Sequence, residues 1–281
     1  MKGSEGISKI LEPLKSIEEL GMLKHFSGID SLVIADEALA LYRLAMMAPA
    51  GSKVLEIGSY RGGSTAAIGH AAIQRNLQIF CIDKWAEYHE QSDFVNFDKS
   101  LLDDMRILRE FIKNTEFVKE RLCMLRGEVA TFIEILGRGL FSMVFVDGAH
   151  DYFSVVDDII FSLKVIEPGG ILCGHDYHSA GLDVKKAVHD IIINSETITF
   201  KGLIEKTSIW YAVVEDPVYE VLLAETIKMM AQGDFKGAYR HLTEGSYSVP
   251  KTKEIARLKR GLEQELKLSN FQQQGASNGT L

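Results

Sequence analysis

The chain has few of the features that mark exported proteins, membrane-spanning proteins or proteins with a structural metal site. It contains three cysteines, Cys81, Cys123 and Cys173, and none of them has the spacing of a metal site. Each lies in an apolar run, which indicates reduced thiols in the core of a cytoplasmic protein. The first residues lack the basic-then-apolar order of a secretory signal, and the most apolar stretch, 31–49, is interrupted by charges. We therefore expect a cytoplasmic protein that does not enter a membrane.

Positive charge is also in deficit. The chain has 31 Lys and Arg residues against 39 Asp and Glu residues, which gives a formal net charge of -8. Binding to a phosphate backbone needs basic residues clustered on one face, so we expect no nucleic-acid partner. An apolar fraction of 46% in 281 residues is enough for one packed core domain with additions at its ends.

Short apolar runs alternate with helix-like segments from Lys53 onward, as in parallel strands joined by crossover helices. We predict a doubly wound, Rossmann-like α/β fold with a seven-stranded, mostly parallel sheet. The last strand should be antiparallel, because the last two runs are too close for a crossover helix. The predicted strands are 53–57, 77–82, 117–125, 141–146, 170–173, 198–202 and 207–214. The predicted helices between them are 63–74, 99–114, 129–136, 152–165 and 182–194.

Four parts of the chain follow from this pattern. An N-terminal helical cap covers 1–50, the core domain covers 51–215, and a C-terminal helical extension covers 216–268. Within the extension, Gly233-Asp234 separates two helical segments, which predicts a hairpin. The polar residues 269–281 are expected to be a disordered tail. The terminal helices offer surfaces on which copies of the chain could assemble as a homo-oligomer.

A glycine-containing turn, Gly58 to Gly63, follows the first predicted strand and opens the next helix. Its glycines let the backbone approach a ligand and supply N–H groups at the helix start. The spacing gives no G-x-G-x-x-G, the arrangement that brings a helix terminus against a pyrophosphate. A nucleotide-like cofactor without phosphates fits better, and the alternative is a compact turn with no ligand.

The next two strand ends extend this cofactor site. Asp83 ends the second strand about 20 residues after Gly63, where an acidic side chain accepts hydrogen bonds from ribose hydroxyls. The alternative is that Asp83 only caps a loop. The third strand ends at Gly127-Glu128-Val129, where an adenine could lie against backbone N–H groups, although Gly-Glu also starts a helix well.

Two further carboxylates, Asp147 and Asp176, follow neighbouring strands and should meet at the same edge of the sheet. They would repel each other unless one is protonated or a cation lies between them. Mg²⁺ resolves that conflict and would lower the pKa of a bound hydroxyl. Because histidines lie nearby, Mn²⁺, Fe²⁺ or Zn²⁺ is an alternative.

Three histidines lie beside these carboxylates. His150, three residues after Asp147, is our candidate base, because its ordinary pKa is near 6.5. The alternative is a histidine that satisfies backbone groups at a helix start. His175 and His178 could as easily pack or hydrogen-bond locally. Three acidic residues of the following helix are expected to be solvated or capping: Asp151, Asp157 and Asp158.

With these residues in hand, the chain from about Val54 to Val214 resembles the class I S-adenosylmethionine-dependent methyltransferases. Within that family its motifs resemble successive signatures of the branch of macrolide-sugar O-methyltransferases and related enzymes of secondary-metabolite and surface-glycan pathways. The motifs that carry the resemblance are Glu56-Ile57-Gly58 with Gly62-Gly63-Ser64, Ile82-Asp83-Lys84-Trp85, Val146-Asp147-Gly148-Ala149-His150, Glu167-Pro168-Gly169-Gly170 and Gly174-His175-Asp176-Tyr177.

The resemblance implies that S-adenosylmethionine is the cofactor and that 51–215 is the methyltransferase domain. Together with the turns above, the predicted cofactor contacts are Glu56, Gly58, Ser59, Gly62, Gly63, Ser64, Asp83, Lys84, Trp85, Gly127, Glu128, Val129 and Asp147. It also implies Mg²⁺ on Asp147 and Asp176, with His150 as base. Metal-dependent relatives often have a second Asp or an Asn where this chain has Tyr177, so His178 or water must supply that ligand.

The sequence therefore predicts methylation of an oxygen on a small hydroxylated acceptor, a sugar or a phenolic natural product. Two alternatives remain: a Rossmann-type NAD-dependent oxidoreductase, and a non-catalytic scaffold that binds the cofactor.

Overall fold

The computed structural model describes residues 16–85, 105–178, 182–245 and 252–277. Its strands are β1 (Lys53–Ile57), β2 (Gln78–Asp83), β3 (Leu122–Arg126), β4 (Phe141–Val146), β5 (Ile166–Gly174), β6 (Ile198–Leu203) and β7 (Trp210–Val214). They form one seven-stranded sheet in the order β3-β2-β1-β4-β5-β7-β6. Strands β1 to β5 pair in parallel, whereas β7 is antiparallel to both of its neighbours. This confirms the predicted Rossmann-like fold with its antiparallel last strand.

The helices flank this sheet and extend it at both ends. They are α1 (Ile17–Phe26), α2 (Ala35–Met47), α3 (Gly63–Arg75), α4 (Arg106–Thr115), α5 (Tyr152–Val165), α6 (Leu182–Val188), α7 (Pro217–Ala231), α8 (Phe235–Gly245) and α9 (Lys253–Ser277). A π-helical turn, His189–Ile193, continues α6.

The core lies in two layers because neighbouring residues of a strand point to opposite faces of the sheet. Met143 and Phe145 of β4 pack on one face with residues of α1 to α4. Val144 and Val146 pack on the other face with residues of α5, α6 and α7. The cysteines are free: Cys81 and Cys173 are buried in the core, and Cys123 is half-buried.

The C-terminal helices form a third apolar cluster, centred on Tyr219, Leu223 and Leu242. The hairpin predicted around Gly233-Asp234 is present: Gly233 has a φ of +80° and joins α7 to α8. Helix α9 runs to Ser277, past the point where we expected a polar tail to begin. Residues 278–281 of that tail, and 1–15 of the N-terminal cap, lie outside the described residues.

Several predicted elements differ from the structure. Strand β5 begins at Ile166 instead of 170, and β7 begins at Trp210 instead of 207. The third strand begins at Leu122 instead of 117, because the preceding residues, Glu116–Arg121, form a 3-10 helix that buries Val118 and leaves Phe117 partly exposed. The helix predicted at 129–136 is a single 3-10 turn, Val129–Phe132. Of the helix predicted at 99–114, residues 99–104 lie outside the described residues, and α4 starts at Arg106. Among the described helices, none has the length and apolar character needed to cross a bilayer.

Candidate active site

The candidate site lies where β1 and β4 end side by side, with the chain leaving them toward opposite halves of the sheet. Open α/β sheets bind ligands at such a switch point. Gly58 ends β1 with a φ of +85°, and a Cβ atom there would lie 2.0 Å from the carbonyl oxygen of Asp147. Only a glycine fits where the two strand ends approach each other so closely. The two strand ends form the floor of the site.

Asp83 holds the glycine turn after β1. Its Oδ2 accepts hydrogen bonds from the backbone N–H groups of Ser59 at 2.9 Å and Tyr60 at 2.8 Å, and its Oδ1 accepts one from Trp85 N at 2.6 Å. A carboxylate has about four acceptor positions, so one direction remains for a ligand hydroxyl. Asp83 therefore does cap a loop, and can still accept from a ribose.

Glu56 lies beneath the turn and is fully buried. Its Oε2 accepts hydrogen bonds from the hydroxyls of Ser59 and Thr65, and its Oε1 has no partner among the described protein atoms. Burial raises the pKa of Glu56, and hydrogen bonds from Ser64, Thr65 and Ser59 oppose that rise. Glu56 thus anchors the turn from below and offers one unpaired acceptor.

The N-terminal cap closes over the far end of the same turn. A Cβ atom on Gly63 would lie 2.0 Å from the Oγ of Ser31. Arg61, which is buried, pairs with Asp30 of the cap and with Glu110 of α4. The start of α3 is therefore covered by protein.

A cavity of about 700 Å³ opens beside Gly58 along the ends of β1 to β4. Six of the predicted cofactor residues line it: Gly58, Asp83, Lys84, Gly127, Glu128 and Val129. Lys84 and Glu128 form an ion pair of 2.7 Å there. The remaining predicted cofactor residues are not among its lining residues: Glu56, Ser59, Gly62, Gly63, Ser64, Trp85 and Asp147. Trp85 instead packs against Phe111 and donates its indole N–H to the Tyr60 carbonyl at 3.0 Å.

Asp158 of α5 is a lining residue that sequence reasoning missed. We expected a solvated or capping side chain there, as Asp151 indeed is, accepting from Ser154 N. The Asp158 carboxylate instead lies under the strand-end loop, 2.7 Å from the position of a Cβ atom on Gly148. Burial, and then the nearby Asp157, raise the pKa of Asp158 to about 7. No sequence signal separates it from its exposed neighbour Asp157.

A polar cluster adjoins the cavity at the ends of β4 and β5. Among the described residues, one ligand atom each from Asp147, His175 and Asp176 lie within 4.8 Å of one another. His150 joins the cluster through its Nε2, which is 2.8 Å from Asp176 Oδ2. This hydrogen bond is the leading cause of a raised pKa for His150, and burial opposes it. The predicted residues Asp147, His150 and Asp176 are therefore brought together.

His175, which the sequence left without a role, lies at the centre of this cluster. Its Nδ1 is 3.3 Å from Asp176 Oδ2 and 3.5 Å from Asp147 Oδ1, and its Nε2 is 3.0 Å from Glu37 Oε1. Burial by itself lowers the pKa of His175. Interactions with the carboxylates of Asp147, Asp176 and Glu37 outweigh burial and raise that pKa to about 12. Without a metal ion, an imidazolium at His175 balances the carboxylates around it.

His178, the predicted third metal ligand, and Tyr177, which stands where relatives have a ligand, both lie away from the cluster. Asp176 has a φ of +57°, so the chain turns sharply as it leaves β5. Tyr177 is buried and its hydroxyl hydrogen-bonds His189 Nε2 at 2.8 Å. His178 is exposed, stacks edge-on against Tyr177, and does not belong to the three-residue group of ligand atoms. Of the three predicted metal ligands, Asp147 and Asp176 belong to the group that could hold a cation, whose third member is His175.

This donor set fits a divalent cation. Two carboxylate oxygens and one imidazole nitrogen converge within 4.8 Å of one another, and the second nitrogen of His175 lies 3.0 Å from a carboxylate oxygen of Glu37. A histidine ligand held in this way is the usual arrangement at metal sites. An imidazole in the set suits Mn²⁺, Fe²⁺ or Zn²⁺ better than the Mg²⁺ suggested by the sequence, because Mg²⁺ prefers oxygen ligands.

The part of the chain that carries these residues is similar to a known enzyme family. Residues 55–177 match the family model described as Methyltransferase domain. The match covers the glycine turn, Asp83 and the Asp147–Asp176 cluster, and it leaves out the N-terminal cap and the helices after β7.

Solved structures with the same fold agree with this match. A putative O-methyltransferase from Klebsiella pneumoniae has a TM-score of 0.50 and 17% identity, over 75% of this chain and 94% of that one. An SAH-bound methyltransferase from Podospora anserina has a TM-score of 0.51 and 14% identity, over 75% and 93% of the two chains. At such identities the similarity shows a shared Rossmann-like methyltransferase fold.

Proposed function

We propose that the chain is an S-adenosylmethionine-dependent methyltransferase that methylates an oxygen of a small hydroxylated acceptor. The observation that carries the proposal is one continuous arrangement at a single sheet edge. The cavity lined by Gly58, Asp83 and Gly127 lies next to a cluster in which His150 contacts Asp176. The first part suits a nucleoside without phosphates, and the second part suits removal of a proton from an acceptor.

The cavity fits the nucleoside part of the cofactor. Asp83 keeps one acceptor direction, suited to a ribose hydroxyl. The loop at Gly127 to Val129 lines the cavity, and its backbone groups and apolar wall suit the adenine. Asp158, whose raised pKa allows it to hold a proton near neutral pH, also lines the cavity. Glu56, one of whose oxygens has no partner among the described residues, lies under the turn outside the cavity lining and supports the turn from below.

When bound, S-adenosylmethionine would supply an electrophilic methyl group on a positively charged sulfur. The chain's own part is to place a hydroxyl before that methyl and to take its proton. His150 is partly exposed, with 39% of its side chain accessible, so an acceptor can reach it. Asp176 holds the imidazole by a hydrogen bond of 2.8 Å and stabilises the imidazolium that forms. Holding the two reacting atoms in line supplies much of the acceleration.

Asp147, His175 and Asp176 would hold a divalent metal at this place, and such an ion would lower the pKa of a coordinated hydroxyl. With or without it, the acceptor we infer is a sugar or a phenol.

Calorimetry with S-adenosylhomocysteine and with NAD tests the cofactor. We expect binding of the first and none of the second, and binding of NAD alone would exclude the proposal. A methyl-transfer screen over glycosides, catechols and small hydroxy acids, with Mg²⁺, with Mn²⁺ and with EDTA, then tests the reaction. Cofactor binding without turnover on any acceptor class would favour a non-catalytic scaffold.

A further inference from the structure

The N-terminal cap contributes a carboxylate to the cluster at the strand ends. Glu37 lies in the first turn of α2, outside the 55–177 segment that matches the methyltransferase family. It is only 5% exposed. Its Oε1 lies 3.0 Å from His175 Nε2, so a helix before the core reaches the centre of the site.

Backbone groups from two separate segments fix the Glu37 side chain. Oε2 accepts from the N–H of Ile34, just before α2, at 3.1 Å. Oε1 accepts from the N–H of Ser208, in the turn before β7, at 3.0 Å. The carboxylate therefore has a fixed orientation before it contacts His175. A side chain that only caps the helix would need the contact with Ile34 alone. The buried Glu37 carboxylate has two more partners, so it does more than cap α2.

The contact with Glu37 decides which nitrogen of His175 faces the cluster. The 3.0 Å contact is an ion-pair contact without hydrogen-bond geometry, and the negative charge of Glu37 favours a proton on the Nε2 side of the ring. That leaves Nδ1 on the side of Asp147 and Asp176, at 3.5 and 3.3 Å from their oxygens. A histidine whose outer nitrogen is bonded to a carboxylate is oriented and made a better donor toward a metal ion.

We propose that Glu37 is a positioning residue that holds Nδ1 of His175 toward a cation site between Asp147 and Asp176, built for a first-row ion such as Mn²⁺. The proposal rests on the proposed function, because a cation at this site would serve the methyl transfer. A site with one nitrogen and two oxygen donors distinguishes this chain from an all-oxygen Mg²⁺ site. The N-terminal cap is then a part of the active site as well as its cover.

The test measures Mn²⁺ binding to the full chain by electron paramagnetic resonance, with Mn²⁺ alone as the probe. We expect Glu37→Gln to weaken Mn²⁺ binding about 10- to 100-fold. Asp36→Asn and Glu19→Gln are the matched controls, because Asp36 is the exposed neighbour in the same helical turn and Glu19 is a buried cap carboxylate paired with Arg43. Both should bind Mn²⁺ as the unaltered chain does.

A double-mutant cycle separates positioning from a general loss of structure. In a His175→Ala background, Glu37→Gln should cause no further loss of Mn²⁺ affinity. A further loss there would overturn the proposal, as would unaltered Mn²⁺ binding by Glu37→Gln alone. Calorimetry with S-adenosylhomocysteine runs in parallel. If the unaltered chain binds that nucleoside but no Mn²⁺, the cation inference fails and the cofactor site stands; if it binds neither, the proposed function fails with it.

Discussion

The carboxylate of Asp83 accepts a hydrogen bond of 2.8 Å from the backbone N–H of Tyr60, a residue held at a φ of +44°. The strand end that should bind a ribose therefore also holds the glycine turn in its strained conformation. Binding the ribose and holding the turn are therefore linked. A change at Asp83 removes an acceptor for the ligand and at the same time removes the hydrogen bonds that hold the turn.

Asp83→Asn should weaken binding of S-adenosylhomocysteine at least about tenfold, or 1.4 kcal/mol. The amide replaces one oxygen by a donor, which cannot accept from the N–H groups of Ser59 and Tyr60 or of Trp85. Isothermal calorimetry measures the change. Asp183→Asn, an exposed carboxylate in the first turn of α6, is the control and should keep full affinity. Equal affinities for the two variants would remove Asp83 from the cofactor site.

His150→Ala should abolish most turnover on an acceptor found in the methyl-transfer screen, with cofactor affinity unchanged. The reason is that the base is lost, whereas the cavity lining does not include this side chain. Removal of a general base typically lowers the rate by 10² to 10⁴-fold. His241→Ala, which alters a histidine of α8 near Glu225, is the control. If His150→Ala instead loses cofactor affinity, the histidine is structural.

The sheet could be predicted closely wherever a change in polarity marks a strand end. Strands β1 and β4 have the predicted bounds, because their apolar runs stop at Gly58 and Asp147. Strand β3 was predicted too long, since Phe117 and Val118 continue an apolar pattern that the chain uses in a 3-10 helix. Local hydrophobicity does not distinguish these two ways of burying a side chain.

The site was only partly predictable because several of its contacts join distant segments. Strand ends located Asp83, Asp147 and Asp176, since parallel strands bring their carboxyl ends to one edge. Glu37 and Ser208 are 171 positions apart, and no spacing rule relates them. The turn at Asp176 decides whether His175 or His178 faces the cluster, and a left-handed aspartate has no clear sequence signal.

Gly58→Ala should destabilise the fold by about 2 kcal/mol or more, because alanine is strained at a φ of +85° and its Cβ would overlap the Asp147 carbonyl. Urea unfolding followed by circular dichroism measures the loss. Gly137→Ala is the matched control, since a Cβ there meets nothing within 4 Å. If both variants unfold at the same urea concentration, the two strand ends are not in contact as described.

Glu220, on α7 where the C-terminal extension meets β6, should make stability depend on pH. It is 1% exposed, and the hydroxyls of Ser195 and Thr197 donate to it. Burial raises its pKa from 4.5 to about 7, those two hydroxyls oppose the rise, and Glu254 adds to it. A raised pKa means that the folded chain holds a proton that the unfolded chain has released between these pH values. The contribution of Glu220 to the free energy of unfolding is therefore complete below pH 4.5 and is lost as the pH rises through 7.

Glu220→Gln removes this titration while it keeps the shape of the side chain. Between pH 4.5 and pH 8 the unaltered chain should lose about 3 kcal/mol more unfolding free energy than the variant does. Urea titrations at a series of pH values measure the difference, and all other titrating groups are shared by the two proteins. Glu215→Gln, an exposed carboxylate after β7, should keep the slope of the unaltered chain. Parallel pH profiles for the unaltered chain and Glu220→Gln would mean that Glu220 is ionised in the folded state, and the C-terminal helices would then be docked on a charged group instead of a neutral one.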